Sequence, residues 1–325
     1  IKTDFLISSV CISHNGKYLA TSHFIHPIAL WDPSTGAMIK AFEKFDDMGK
    51  SINTRSLCFS IDDKFILSGS DDNTVRLWSV ETGKIVKSFI GHSDKITSVN
   101  FSGDGRIAIS ASEDKTIKMW DVESGQEIRT LNGHIGKIYC LDVSKNDRFI
   151  VSGGEDKAIK IWELSSGKEL NALTGITGEV YSVCFSPDDR YILSSSYEQA
   201  RLWDVFSGKE IKTIKGLSSG LDFFAIKPDG KTFLCEKSKI TTWWELGTGK
   251  TSKPIELVST SNSFSFDGQR MASAETDNTV KLVDFAGGNE PQTVFKNDSK
   301  ILCIDISKDG NTIIIGDEGN SIKLL

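Results

Sequence analysis

Serine, histidine and aspartate recur in this chain in a pattern that could do chemistry. His92, Ser110 and Asp114 form one set, and His134, Ser152 and Asp156 repeat it 42 residues later. A serine nucleophile, a histidine base and an aspartate that orients the base are the parts of a hydrolytic triad. Hydrolysis needs one reactive serine, however, and here the set is duplicated, with a partial third copy at Ser68 and Asp72. Duplication at a fixed step points to a structural role. The remaining candidates are weaker. His23 and His26 make a lone H-x-x-H, and no further ligand cluster accompanies them. Asp71, Glu113 and Glu155 could converge as acids, but they too stand at equivalent places in successive copies. Neither a metal nor a cofactor is expected, and no enzymatic activity.

The elements that hold these residues repeat as well. A turn pair ending in glycine follows a tryptophan at Trp31, Trp78, Trp120, Trp162, Trp203 and Trp244, and a degenerate copy stands at Val283. The steps are 47, 42, 42, 41, 41 and 39 residues, and Leu325 falls at an eighth position. Self-similarity at this period means one supersecondary unit stacked on copies of itself. Each copy contains an apolar alternating stretch, such as Ile96–Ser102, and then a tight turn. Those turns are Asn15-Gly16, Asp62-Asp63, Asp104-Gly105, Asn146-Asp147, Asp188-Asp189, Asp229-Gly230, Asp267-Gly268 and Asp309-Gly310. Asn, Asp and Gly accept the left-handed backbone that such hairpins need. Second, third and fourth strands follow at Ile107–Ser112, Thr116–Asp121 and Glu127–Leu131. Period-two alternation between closely spaced turns predicts antiparallel four-stranded meanders, hence an all-β chain.

Composition narrows the functional classes. The 325 residues are 38% hydrophobic and 25% charged, with a formal net charge of −6. No basic block suggests nucleic-acid binding. No apolar run approaches a bilayer span, and no signal peptide is evident, so a membrane role and secretion are not expected. Five of the six cysteines occupy one apolar strand in different copies: Cys11, Cys58 and Cys184 at one position, Cys140 and Cys303 two residues earlier. They read as packed thiols of a reducing compartment, the cytoplasm or alternatively the nucleus. A start at Ile1, within the repeat pattern, suggests a domain of a longer protein.

Gly91-His92 and Gly133-His134, the Ser-x-Ser-x-Asp runs and the closing Trp-Asp pairs resemble WD40 repeats over essentially the whole chain. That resemblance is most specific in copies 2 to 4 and fades in copies 6 to 8. It implies a β-propeller of four-stranded blades, here of eight blades. The alternatives are seven blades with one irregular copy, or part of a longer tandem array. Pairing of Ile1–Thr3 with Ser321–Leu325 would supply the strand the last copy lacks and close the ring. The resemblance also assigns His92, Ser110, Asp114 and Trp120, and His134, Ser152, Asp156 and Trp162, to hydrogen-bonded chains. Copy 2 keeps Ser68, Asp72 and Trp78 without the histidine.

WD40 propellers generally act as non-catalytic scaffolds that bind a protein or peptide on the top face around the central channel. Carried over by position, the contact residues are Ser8, Arg55, Thr97, Tyr139, Tyr181, Asp222, Thr260 and Leu302 on first strands. Lys95, Lys137, Glu179, Gly220 and Lys300 stand two residues earlier, and Asp71, Glu113, Glu155 and Thr276 in the loop before the aspartate. The lengthened stretch Glu43–Asn53 is a candidate binding lip on the same face. Copies 5 to 8 lack the His–Asp chain, copy 5 being one residue short at Tyr197-Glu198-Gln199-Ala200. A ligand-sensing or autoinhibitory role toward other domains of its own chain is the alternative function, and a propeller enzyme the least favoured.

Overall fold

Among the described residues, thirty β-strands pair, in sequence order, into eight separate antiparallel sheets. The computed structural model describes residues 7–23, 26–33, 35, 37–42, 53–197, 199–215, 224–226, 232–237, 240–245, 257, 259–264, 270–284, 290–307, 310–319 and 321–325. Among them there is no helix, and therefore none long and apolar enough to cross a membrane. The third sheet is representative: Ile96–Phe101, Ile107–Ser112, Thr116–Asp121 and Glu127–Asn132 pair successively. Six sheets have four strands. The sixth (Phe224–Ile226, Thr232–Lys237, Ile240–Glu245) and the eighth (Ile301–Ile306, Ile313–Asp317, Ile322–Leu324) show three.

The core lies between sheets, which explains why the central strands are buried on both faces. In Phe65–Ser70, Ile66 packs toward the first sheet with Ala20, Ile28 and Leu30, whereas its neighbour Leu67 packs toward the third with Ile96 and Val99. Each anchor tryptophan whose side chain is described is a wedge between sheets. Trp78 joins the first sheet's cluster, Trp120 the second's, Trp162 the third's and Trp203 the fourth's. A buried tryptophan removes roughly 200 Å² from water, worth about 5 kcal/mol of transfer free energy. Trp31 repeats this packing, together with Leu19 and Ala29, against Ile314 of the eighth sheet. Val283 is fully buried, and Leu325 pairs through its backbone with Ile313, one residue beyond the last strand. The backbone of Trp244 lies in a strand; its side chain and residues Ile1–Thr3 lie outside the described set.

The turn between first and second strands has the left-handed residue that the sequence requires. Gly16, Asp63, Gly105, Asp147, Asp189 and Gly310 have φ between 56° and 72°. Where that residue is aspartate it does more than turn. The Asp63 carboxylate accepts the backbone N–H groups of His14 and Asn15, and that of Asp189 those of Lys145 and Asn146. Asp147 does the same for Gly103 and Asp104. Each carboxylate thus clamps the turn of the preceding sheet. A further polar link crosses the interior of the first strands: Asp142 accepts hydrogen bonds from Asn100 Nδ2 on one side and Phe185 N on the other.

Candidate functional site

His92 and His134 occupy the geometry of a catalytic triad without its accessibility. His92 Nδ1 lies 2.7 Å from Asp114, and its Nε2 lies 2.8 Å from Ser110 Oγ. Trp120 Nε1–H donates to the same Oγ at 2.9 Å, and Ser110 is 0% exposed. Ser110 Oγ thus bonds both the tryptophan N–H and the imidazole Nε2. The hydroxyl is therefore fully engaged and unreachable by a substrate. His134, Asp156, Ser152 and Trp162 repeat these distances. Burial raises the Asp114 pKa, but hydrogen bonds from His92, Thr116 and Ser93 N outweigh it and hold the carboxyl well below the usual carboxylate range. Asp156 is lowered against burial in the same way, chiefly by His134.

The first, second and fifth sheets keep the tryptophan contact and change the rest. Trp31 donates to Thr21, Trp78 to Ser68 and Trp203 to Ser194. In the second sheet the Arg76 guanidinium grips Asp72 in place of imidazole. In the seventh, where valine replaces tryptophan, Ser273 donates to Glu275. The eighth sheet uses Asn297 and Ser321 on Asp317.

One end of the sheets gathers the charged and aromatic candidates. Seven first strands carry a register irregularity at the position singled out from the sequence: Ser8, Arg55, Thr97, Tyr139, Tyr181, Thr260 and Leu302 each stand in the gap of the pairing. A bulge leaves its extra residue out of the ladder and re-aims its side chain. Small hydroxyls there are drawn inward: Ser8 Oγ donates to Thr54 O, and Thr97 Oγ1 lies 2.8 Å from Ile138 O, each tying two sheets. The Thr97 hydroxyl thus acts as a strut between sheets, while the residue itself stays half-buried.

The large residues form a connected rim. Arg55 pairs with Asp71 of its own sheet and with Glu113 of the next, and Lys137 reaches back 2.5 Å to Glu113. Backbone bonds from Asp71, Glu113, Glu155 and Glu318 to the carbonyls of Asn53, Lys95, Lys137 and Lys300 hold each loop beside its first strand. Tyr139 and Tyr181 stack with centroids 5.8 Å apart and planes within 7°. Tyr181 Oη donates to Glu179 at 3.1 Å. Burial, with the charges of Glu179 and Glu155, pushes the Tyr139 phenol up to about 12.

Lys300 pairs with Glu318 within the eighth sheet, and among the described residues no bond joins it to the rest of the rim. Asp222, Gly220 and residues 43–52 of the lip lie outside the described residues, as do the side chains of His23, His26 and Thr260. Among the described residues no cluster of three or more His, Cys, Asp or Glu is placed to hold a metal. Two rim residues escaped the sequence reading. Tyr197, 51% exposed, and Glu318 stand in the loops equivalent to those of Glu113 and Glu155. The step of 42 from Glu155 reaches Tyr197, but the shortened loop of that copy hides the correspondence.

Stacked four-stranded meanders, tryptophan wedges and buried Ser–His–Asp–Trp chains define the class of repeat to which this fold belongs. A comparison with family models matches WD40 (WD domain, G-beta repeat) at residues 49–79, 83–121, 125–163, 167–204 and 289–324. These segments make up more than half of the chain, which belongs to the WD40 repeat family. No curated protein matches it in a sequence search.

Proposed function

We propose that the protein is a non-catalytic scaffold that binds a protein or peptide partner on the rim formed by Arg55, Glu113, Lys137, Tyr139 and Tyr181. The observation that carries this is the bulge: it sets one side chain from each successive first strand at the same end of the sheets. WD40 repeats generally mediate protein–protein interactions, and Tyr and Arg are the side chains that dominate interface energetics. We take the eight sheets as blades of one closed ring. The cluster of Trp31, Leu19 and Ala29 with Ile314 supports that, since it repeats between last and first sheets the packing seen elsewhere. A cytoplasmic or nuclear location fits the unpaired cysteines.

The test compares two double variants. Partners captured by the full chain are identified, purified and titrated calorimetrically against wild type, Tyr139→Ala/Tyr181→Ala, and Lys64→Ala/Arg106→Ala at the opposite end. Loss of affinity confined to the tyrosine variant supports the rim; equal affinity of wild type and the tyrosine variant removes it.

A further inference from the structure

Around the rim the charges are not evenly compensated. Asp71 and Glu113 are neutralised by Arg55 and Lys137. Glu155 and Glu179, the next carboxylates around, make no ion pair with any described residue; Glu155 accepts Lys137 N, and Glu179 accepts Tyr181 Oη and also interacts with the Tyr139 phenol. The ammonium of Lys137 is committed to Glu113. Beside these two anionic groups stand three tyrosines. Tyr139 and Tyr181 form the stacked pair, and Tyr197 abuts Gly178, directly before Glu179. Tyr181 is 49% exposed. Centroids 5.8 Å apart leave no room for a third plane between the rings, so a ligand would lie on the open face of Tyr181.

We propose that the corner formed by Tyr139, Tyr181, Tyr197, Glu155 and Glu179 takes an arginine side chain from the partner protein. This rests on the scaffold reading above and specifies its chemistry. Tyrosine faces attract cations, and uncompensated carboxylates next to them supply the counter-charge. A guanidinium suits both: it is planar and stacks parallel to a ring, and its fork of donors reaches carboxylates on two neighbouring sheets. A lysine ammonium is a compact, strongly hydrated point charge and gains less from the ring face. Nucleic-acid bases also stack on exposed tyrosines, but a phosphate backbone would be repelled by the carboxylates of Glu155 and Glu179.

The chain has five tyrosines, Tyr18, Tyr139, Tyr181, Tyr191 and Tyr197, so NMR of the full chain labelled with ring-¹³C tyrosine resolves the corner from internal controls. The probes are N-acetyl-arginine methylamide, its lysine analogue and its uncharged citrulline isostere. Saturable shifts of Tyr139, Tyr181 and Tyr197 with the arginine probe are expected, with Tyr18 and Tyr191 unmoved. Glu155→Gln/Glu179→Gln should weaken that binding about tenfold, and the unmoved Tyr18 and Tyr191 signals report that the variant is folded. Equal binding of citrulline, equal binding of lysine, or no saturable shift overturns the arginine assignment. If Tyr139→Ala/Tyr181→Ala still abolishes partner binding in that event, the scaffold reading survives alone. If the arginine probe binds but partner affinity is unchanged in the tyrosine variant, both fall.

Discussion

Replacing Ser110 by alanine should cost clearly more than the same change at Ser68, although both serines are fully buried and both receive a tryptophan N–H. Ser110→Ala strands two polar atoms, Trp120 Nε1–H and His92 Nε2, whereas Ser68→Ala strands only Trp78 Nε1–H. A buried group left unpaired costs about 1–3 kcal/mol. The expected losses are therefore roughly 2–6 kcal/mol at Ser110 and roughly 1–3 kcal/mol at Ser68. Ser152→Ala should match Ser110→Ala, because His134 and Trp162 make the same two bonds. Urea unfolding followed by both tryptophan fluorescence and circular dichroism measures the difference, provided the two probes coincide. In a His92→Ala background only the tryptophan bond remains to be lost, so the cost of Ser110→Ala should shrink to that of Ser68→Ala. A Ser68→Ala cost equal to or above that of Ser110→Ala, or no change in the His92→Ala background, would refute the two-bond account.

Asp114 has a folded pKa held below its ordinary 3.8, so its contribution is present above that value and is lost as pH falls below it. An Asp114→Asn variant should accordingly show a flatter acid limb in stability measured from pH 5 to pH 2. Asp142 behaves oppositely: burial raises it from 3.8 to about 6, despite hydrogen bonds from Phe185 N and Val143 N. Its carboxyl ¹³C resonance should titrate near pH 6, with stability from this group falling as pH rises from about 4 to 6; a midpoint below 4.5 contradicts the burial argument. Asp189→Gly preserves the left-handed turn at φ 58° but removes the clamp on Lys145 N and Asn146 N. It should destabilise by roughly 1–3 kcal/mol in thermal unfolding, where a purely conformational role predicts no loss. At Gly154 a Cβ would stand 2.0 Å from Lys137 O, so Gly154→Ala should cost about 1–3 kcal/mol and displace the Tyr139 ring signal by moving the bulged strand.

Much of the fold is legible in residues that act within one repeat. The turns, the strands Ile107–Ser112 and Thr116–Asp121, and the His92–Ser110–Asp114–Trp120 chain are all built from residues a few tens of positions apart at constant offsets. The repetition supplies those offsets, and burial of the serine explains why a triad geometry arises without a reactive site. The rim is only partly legible. Its positions follow from the repeat, but Thr97 turned inward and Tyr197 and Glu318 were missed, because loop length and side-chain direction have no fixed signature in a single chain.

Sequence alone determined that this is an all-β repeat protein and where its turns and anchors recur, and the resemblance to WD40 repeats added which polar residues share a buried chain. Hydrophobic period and turn chemistry are local properties, readable without knowing how the sheets stack. Only the tertiary structure decided that Arg55 and Lys137 converge on Glu113, that Tyr139 stacks on Tyr181 and that Asp63, Asp147 and Asp189 clamp the preceding turn. Each of these joins neighbouring sheets. Their partners are set by the twist between sheets and by the bulge that redirects one side chain per first strand, and neither quantity is written in any one repeat.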